Sequence, residues 1–112
     1  MPKFEFRGKS YNNPVELSLD IISGRWKMPI LWRLKDRVRR YSELKKSLGK
    51  VTHKMLTEHL RDMEHDGLIK RKVYPVVPPR VEYSLTKKGK SVVPIINKLR
   101  DWGKKFMEEY EG

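Results

Sequence analysis

Five side chains able to donate or accept hydrogen bonds recur along one short segment of the chain. They are an imidazole, two cations, a hydroxyl and a carboxylate: His53, Lys54, Thr57, Glu58 and Arg61. Lysine and arginine pair with guanine N7 and O6, threonine contacts the thymine methyl group, and a carboxylate accepts from cytosine N4. These residue types therefore indicate readout of base edges in the major groove of DNA. Glu58 also lies four residues after Lys54, and an ion pair within a helix is the favoured role for its carboxylate.

Catalysis or metal binding requires a constellation of residues that the sequence lacks. His53, His59 and His65 repeat every six residues. Six residues correspond to about 600° of helix rotation, so the three imidazoles point in different directions and cannot share a metal ion. Asp62 and Glu64 lie on a charged helix surface, and no phosphate-binding loop or nucleophile motif occurs. We therefore predict no catalytic residue, no metal, no cofactor and no enzyme activity.

The helix that presents the five polar side chains is delimited by Thr52 and Gly67. A threonine hydroxyl can accept from an unpaired N–H group of the first helical turn. A glycine enters the left-handed conformation that ends many helices without a Cβ clash. Between them, Leu56, Leu60 and Met63 recur at the spacing of one apolar helix face. The pattern predicts an amphipathic helix that packs on a core and exposes its polar side.

A shorter helix is predicted immediately before this one. Ser42 is its expected N-cap, Gly49 its terminator, and Leu44 and Leu48 its inward side chains. A short helix, a tight link and a longer helix with an exposed polar face form a helix-turn-helix, here over residues 42–66.

Two strands are predicted after the helix-turn-helix, over residues 68–74 and 80–86. The segment PVVPP separates them, and proline cannot donate to a sheet ladder, so residues 75–79 form the tip of a hairpin. A helix-turn-helix followed by a two-stranded hairpin is a winged helix, which makes the fold α+β and mainly α. Lys72 and Arg80 flank the tip, where they could enter the minor groove or contact phosphate.

Positive charge is concentrated just before the reading helix, which is the predicted helix between Thr52 and Gly67 whose side chains are expected to contact bases. The 112-residue chain has a net charge of +12, and residues 25–50 hold ten cations and two anions. Such a block favours a polyanionic partner. The side chains expected to contact the DNA backbone there are Arg39, Arg40, Ser42, Lys45 and Lys46.

The two ends of the chain are predicted to form a dimer interface, over residues 1–24 and 87–112. One helix should begin at Asn13-Pro14 and stop at Gly24, and residues 1–12 form a short strand or an arm with nothing of its own to pack against. A second short helix is expected over residues 26–34, and Tyr41 pairs briefly as a strand. Thr86 caps a final helix, with a kink or late start at Pro94. The expected dimerisation side chains are Leu19, Ile22, Ile96, Leu99, Trp102 and Phe106.

Composition limits the remaining possibilities. The chain has no cysteine, which removes disulfides and thiol chemistry. No apolar run approaches the roughly 18 residues of a membrane span, and the first residues do not resemble a signal peptide. We expect one domain over residues 1–112, a cytoplasmic location and no membrane partner.

Several segments together resemble the HxlR-type transcriptional regulators. They are NPVELSLDIISGRWKMPILWRL from Asn13, RYSELKKSL from Arg40, THKMLTEHLRDMEHDGLIKR from Thr52, VYPVVPPRVEYSLT from Val73 and PIINKLRDWG from Pro94. The resemblance spans residues 13–103. It implies a MarR-like winged-helix homodimer from a bacterium or an archaeon, with the terminal helices at the dimer interface.

The resemblance also implies sequence-specific binding to a pseudo-palindromic operator of double-stranded DNA. Many members carry a cysteine just before the PVE segment, and some use it to sense electrophiles or oxidants. Asn13 stands there in this chain, so any small-molecule effector must act without a thiol. Two other readings remain open, a winged helix that binds an acidic protein and one that binds RNA.

Overall fold

Eleven helices and strands follow one another along residues 4–111, the part of the chain that the computed structural model describes. In chain order they are β1 (Phe4–Phe6), β2 (Lys9–Tyr11), α1 (Pro14–Ile22), α2 (Lys27–Arg33), β3 (Arg39–Arg40), α3 (Tyr41–Leu48), α4 (His53–His65), β4 (Ile69–Tyr74), β5 (Arg80–Leu85), α5 (Lys87–Lys90) and α6 (Val93–Glu111). The first three residues of the predicted N-terminal arm and the last residue of the predicted C-terminal region lie outside the described residues.

The predicted wing hairpin is present, and a third strand extends it. The strands β4 and β5 pair antiparallel, with Lys72 opposite Glu82 and Val73 opposite Val81. The two residues of β3 pair with the other edge of β5, giving the order β3–β5–β4. The brief strand expected at Tyr41 therefore lies one residue earlier, and Tyr41 begins α3 instead.

The predicted N-cap of α3 is wrong. The helix begins at Tyr41 with Arg40 in the N-cap position, so Ser42 lies inside the first turn. The reason is the side chain of Glu43, whose Oε1 accepts from the backbone N–H of Arg40 at 2.9 Å. That hydrogen bond, helped by the guanidinium of Arg37, lowers the pKa of the Glu43 carboxyl below its ordinary value.

Both predicted ends of α4 are confirmed. Thr52 Oγ1 accepts from the backbone N–H of Met55 at 3.1 Å. Gly67 has a φ of +79°. The two hydrogen bonds of a Schellman motif follow, from Gly67 N–H to the Glu64 carbonyl at 3.0 Å and from Leu68 N–H to the Met63 carbonyl at 2.9 Å. These caps fix where the helix starts and hence which side chains lie in its first two turns.

The core lies where α2, α3 and α4 meet the sheet. Its fully buried side chains come from every one of these elements, as Ile30, Leu31, Leu44, Leu56, Leu60, Met63 and Ile69. The predicted inward faces of α3 and α4 are therefore confirmed. Arg33 ties α2 to α3, donating from Nε to Ser47 Oγ at 2.7 Å and from Nη2 to the Ser47 carbonyl at 3.4 Å. The helix α4 packs on this core through Leu56, Leu60 and Met63.

The N-terminal segment is a hairpin that packs against the domain, which corrects the expectation that it has nothing to pack against. Arg7 (φ +53°) and Gly8 (φ +77°) form the turn between β1 and β2. The guanidinium of Arg7 lies 3.1 Å from Oδ1 of Asp66, a carboxylate at the end of α4 that is 1% exposed. Tyr11 donates its O–H to Asp20 at 2.6 Å, and this bond raises the pKa of the tyrosine.

The predicted helices at the two ends are present. Asn13 caps α1, accepting from the N–H of Val15 at 2.7 Å. Thr86 caps the short α5, and the late start expected at Pro94 is confirmed because α6 begins at Val93. Within residues 4–111, no helix combines the length and the apolar content that crossing a membrane requires.

Candidate nucleic-acid interface

The polar face of α4 is exposed along its first three turns. His53, Lys54, Glu58 and Arg61 are exposed and Thr57 is half-buried. On the opposite side, Leu56, Leu60 and Met63 are at most 2% exposed. The structure therefore brings all five residues expected to read bases onto one free surface of a single helix.

Tyr41 belongs to this surface, and it is absent from the sequence-based set. Its phenol oxygen lies 2.6 Å from Nδ1 of His53 and 3.4 Å from Oγ1 of Thr57. The tyrosine and histidine rings meet edge to face, with 5.3 Å between their centroids. Tyr41 thus connects the start of α3 to the start of α4. Only the strand pattern around it was visible in the sequence, and the contact depends on how the two helices pack.

A cleft of about 500 Å³ separates the polar face of α4 from the sheet. Tyr41, Thr57 and Arg61 line one side, and Arg71 and Tyr83 line the other. Arg71 was also missed from the sequence. Because side chains alternate along a strand, Arg71 lies on the same side of β4 as the buried Ile69. That alternation was the signal that could have identified it as a cation facing the reading helix.

Many cations of the basic block are engaged within the protein. Lys35 pairs with Asp36 at 2.7 Å and Arg37 with Glu43 at 3.3 Å. Arg39, predicted to contact phosphate, is half-buried and donates from Nε to the Arg33 carbonyl at 2.9 Å. The block therefore offers fewer available charges than its composition suggests.

Most of the other residues predicted to contact the DNA backbone are more accessible than Arg39. Arg40, Ser42 and Lys46 are exposed, and Lys45 is half-buried. Arg40 and Ser42 line a groove of about 290 Å³ whose other wall is the wing tip, including Arg80. Three residues predicted to contact the DNA backbone therefore meet at one groove beside the reading helix.

The two wing cations are held by one aromatic ring. Lys72 Nζ lies 4.9 Å and the Arg80 guanidinium 4.2 Å from the centroid of Tyr74. Arg80 Nε is also 3.4 Å from Oε2 of Glu82, which offsets part of its charge. Lys72 remains exposed on β4. Lys72 and Arg80 therefore form a positively charged edge next to the tip of the wing, and the Tyr74 ring holds both side chains in place.

The apolar stripe of α6 divides into a buried start and an exposed remainder. Ile96 is 9% exposed and belongs to the core of its own chain, so it is a poor candidate for the dimer interface. Ile22 is half-buried against the same core. The other expected dimerisation residues are exposed, with Leu19 at 53%, Leu99 at 49%, Trp102 at 68% and Phe106 at 54%. The rings of Trp102 and Phe106 stack with centroids 5.5 Å apart.

The histidines do not form a metal site. Within residues 4–111, no three histidine, aspartate or glutamate side chains converge on a point that could hold a metal ion. His59 is half-buried, and both its burial and the neighbouring Lys27 lower the pKa of the imidazole. His53 and His65 are exposed.

Comparison with known proteins agrees with this geometry. Residues 21–111 match the family described as HxlR-like helix-turn-helix. The chain is 50% identical over 97 residues to an HTH-type transcriptional regulator of Methanothermobacter thermautotrophicus, covering 87% of this chain and 74% of that one. It is 45% identical over 109 residues to the regulator BH0655 of Halalkalibacterium halodurans, covering 94% and 96%.

Solved structures show the same fold. The redox regulator HypR in its reduced form superposes with a TM-score of 0.83 at 39% identity, covering 88% of this chain and 98% of that one. The absence of cysteine separates the present chain from any thiol-based redox response. The winged helix, the exposed reading helix and the matches over most of the chain together show that it belongs to the HxlR-like helix-turn-helix family of DNA-binding transcriptional regulators.

Proposed function

We propose that the chain acts as a homodimer that binds a pseudo-palindromic DNA operator, with one α4 helix in the major groove of each half-site. The observation that carries this proposal is the surface of α4, where exposed polar side chains face solvent while the opposite side is buried. An α-helix fits the major groove of B-DNA, and residues near its start reach the base edges. The readers are then His53, Lys54, Thr57 and Arg61, with Glu58 beside them as an acceptor for cytosine N4, because it makes no salt bridge with Lys54 within residues 4–111.

Affinity comes from the basic residues around this helix. Arg40, Ser42, Lys45 and Lys46 approach the phosphates from α3, and Lys72 and Arg80 approach them from the wing. The local charge of α4 is nearly balanced, so these flanking cations supply most of the electrostatic attraction. Arg39 contributes less than its type suggests, because its Nε already donates to a backbone carbonyl.

Dimerisation uses the exposed apolar surface of α1 and α6. Leu19, Leu99, Trp102 and Phe106 form the contact, and residues 1–24 and 87–112 are the dimerisation regions around a helix-turn-helix and wing that bind DNA. Exposed apolar patches of this kind mark interaction surfaces. The protein acts in the cytoplasm, requires no cofactor and catalyses no reaction. Its effector, if it has one, acts without cysteine chemistry.

Salt dependence tests the binding mode. The affinity for a mixed-sequence DNA duplex is measured by fluorescence anisotropy between about 50 and 200 mM salt, and each phosphate contact contributes about −0.9 to the log–log slope. A steep loss of affinity with added salt is expected for the duplex. A salt-insensitive interaction contradicts the proposal. Tighter binding to single-stranded RNA of equal length, or to polyglutamate, assigns the basic surface to RNA or to an acidic protein instead.

A further inference from the structure

We propose that Tyr41 is a positioning residue that fixes His53 as a hydrogen-bond donor toward DNA. As a result, His53 discriminates against cytosine on the strand that it contacts. This inference rests on the proposed function, because it assigns a base preference to one residue of α4. The inference is based on the contact between Tyr41 of α3 and His53 of α4, which depends on how the two helices pack.

One of the three polar contacts of the Tyr41 hydroxyl is much shorter than the other two. The Tyr41 phenol oxygen lies 2.6 Å from His53 Nδ1, whereas its distances to the His53 carbonyl oxygen and to Thr57 Oγ1 are both 3.4 Å. The phenol carries a single proton, so it donates to one partner at a time. The imidazole nitrogen is the nearest acceptor by 0.8 Å.

The length of this bond indicates its donor. Bonds from an N–H group to an oxygen cluster near 2.9–3.0 Å, and bonds from an O–H group to an oxygen are shorter, near 2.7–2.8 Å. A separation of 2.6 Å therefore favours donation from the tyrosine to Nδ1. A neutral imidazole that accepts at Nδ1 carries its own proton on Nε2. A protonated imidazole also carries a proton on Nε2, so this nitrogen is a donor in both states.

A donor at Nε2 restricts which bases His53 can read. In the major groove, guanine offers N7 and O6, adenine offers N7 and thymine offers O4 as acceptors. Cytosine offers only its N4 amino group, which is a donor. The Nε2–H group therefore has a partner on three bases and none on cytosine. Without the tyrosine hydroxyl, the imidazole can place its proton on Nδ1 and accept from cytosine through Nε2.

The tautomer is tested first in the absence of DNA. The ¹⁵N chemical shifts of the ring nitrogens distinguish a protonated from an unprotonated nitrogen, and loss of signal in His53→Ala assigns the resonances. We expect Nε2 protonated and Nδ1 unprotonated at a pH where the ring is neutral, with mixed tautomers in Tyr41→Phe. A neutral ring with its proton on Nδ1 overturns the inference, whatever the protein binds.

The base preference is tested second, by selecting bound sequences from a random duplex pool with the wild type and with Tyr41→Phe. We expect one position of each half-site to lose its bias against cytosine by about two- to tenfold, the range for a single hydrogen bond. The other positions and the salt slope should stay unchanged. Tyr11→Phe in β2 is the matched control, since it also removes a phenol that donates at 2.6 Å, here to Asp20 and not to α4.

The two measurements separate the failure of this inference from the failure of the proposed function. A pool with no enriched sequence removes the proposed function, while the nitrogen shifts still decide the tautomer. An enriched motif that is identical for the wild type and Tyr41→Phe overturns the role of Tyr41. In the His53→Ala background, Tyr41→Phe should change no base preference, and any further change contradicts an effect that acts through His53.

Discussion

At the residue scale, the side chains around α4 divide into those that face the expected base edges and those that face the expected phosphates. Arg61 lies two turns into α4 and lines the cleft that faces the sheet. Lys46 is exposed on α3, one helix away. Contacts to bases carry sequence information, whereas contacts to phosphate fix position and supply affinity. The two cations should therefore respond differently to the same substitution.

Replacing each of these cations by alanine tests the division. Arg61→Ala is expected to cost about 1–3 kcal/mol of binding free energy on a preferred duplex and to relax the preference at one position. Lys46→Ala should weaken all duplexes alike and make the log–log salt slope less steep by about 1. Anisotropy titrations on preferred and mismatched duplexes at several salt concentrations measure both effects. If Arg61→Ala weakens every duplex equally, Arg61 is a phosphate contact.

The half-buried His59 predicts how stability depends on pH. Burial, and then the charge of Lys27, lower its pKa in the folded protein, against smaller opposing effects of Asp62 and Glu58. The unfolded chain therefore takes up this proton first as the pH falls. The neutral His59 side chain therefore contributes fully to the free energy of unfolding above the unfolded pKa of about 6.5. This contribution is lost as the pH falls toward the lower pKa of the folded protein.

Urea denaturation at pH 7.5 and pH 5.5 measures this loss. His59→Gln is expected to reduce the fall in the free energy of unfolding between the two pH values. His65→Gln, an exchange at the exposed end of the same helix, is the matched control. An unchanged pH dependence in His59→Gln assigns the effect to other groups.

Residue types alone predicted the five side chains on α4 but not their partners. The set followed from helical spacing, which depends only on local sequence. Arg71 was missed although the alternation of side chains along β4 places it on the same side as the buried Ile69. Tyr41 was missed because its role arises where α3 packs beside α4, and that contact leaves no local pattern. Arg39 was overestimated for the same reason, because its hydrogen bond to the Arg33 carbonyl exists only in the folded chain.

At the element scale, the position of each helix start determines which side chains lie in the first turns of the helix. Thr52 and Asn13 were identified correctly as N-caps, Thr52 from the apolar pattern that follows it and Asn13 from the proline at the next position. Ser42 was not, since Glu43 can reach back to the N–H of Arg40 and moves the start of α3 by two positions. A glutamate three residues after the true N-cap is a recurring signal for this arrangement.

Two glycines in helices test the packing of these elements. A Cβ at Gly89 in α5 would overlap the carbonyl oxygen of Leu68, and it would also lie 3.2 Å from Cδ2 of Leu85. Gly89→Ala is therefore expected to destabilise the fold by about 1–3 kcal/mol or more, because backbone atoms must move. At Gly103 in α6, nothing lies within 4 Å of an added Cβ. Gly103→Ala should stabilise the protomer by about 0.5–1 kcal/mol, the difference between the two residues within a helix. This holds at a protein concentration where the dimer has dissociated, because Gly103 lies on the same face of α6 as Leu99 and Phe106.

Urea denaturation of both variants at one protein concentration checks this pair. The same substitution in two helices should change the free energy of unfolding in opposite directions. A Gly89→Ala variant as stable as the wild type contradicts the close approach of α5 to the start of β4.

At the scale of the whole molecule, the proposed homodimer requires an exposed apolar surface, and α6 offers one. Four residues of α6 were predicted to lie at the dimer interface, namely Ile96, Leu99, Trp102 and Phe106, but the sequence did not reveal which of them belong to the core of their own chain. The structure puts the boundary of that core between Ile96, which is buried, and Leu99, which is half exposed. The residues beyond it, including Trp102 and Phe106, are the ones that a second copy of the chain can cover.

Trp102→Ala tests this surface. The side chain is 68% exposed, so its removal should leave the fold of the protomer intact. Loss of a large aromatic anchor typically costs about 2 kcal/mol of association free energy, roughly a 30-fold weaker dimer. Sedimentation equilibrium measures the dissociation constant, and circular dichroism checks the fold. Lys104→Ala, off the apolar stripe, is the matched control. A Trp102→Ala variant as strongly dimeric as the wild type excludes this face from the interface.

Selection of bound sequences from a random pool of double-stranded DNA by the intact protein tests the proposed DNA-binding homodimer. Two α4 helices related by two-fold symmetry should enrich a pseudo-palindromic motif whose half-sites are about 34 Å apart, close to one turn of B-DNA. An enriched motif with that symmetry and spacing is the result expected for a homodimer reading through α4. A pool without enrichment, or a motif with a single asymmetric site, would contradict it.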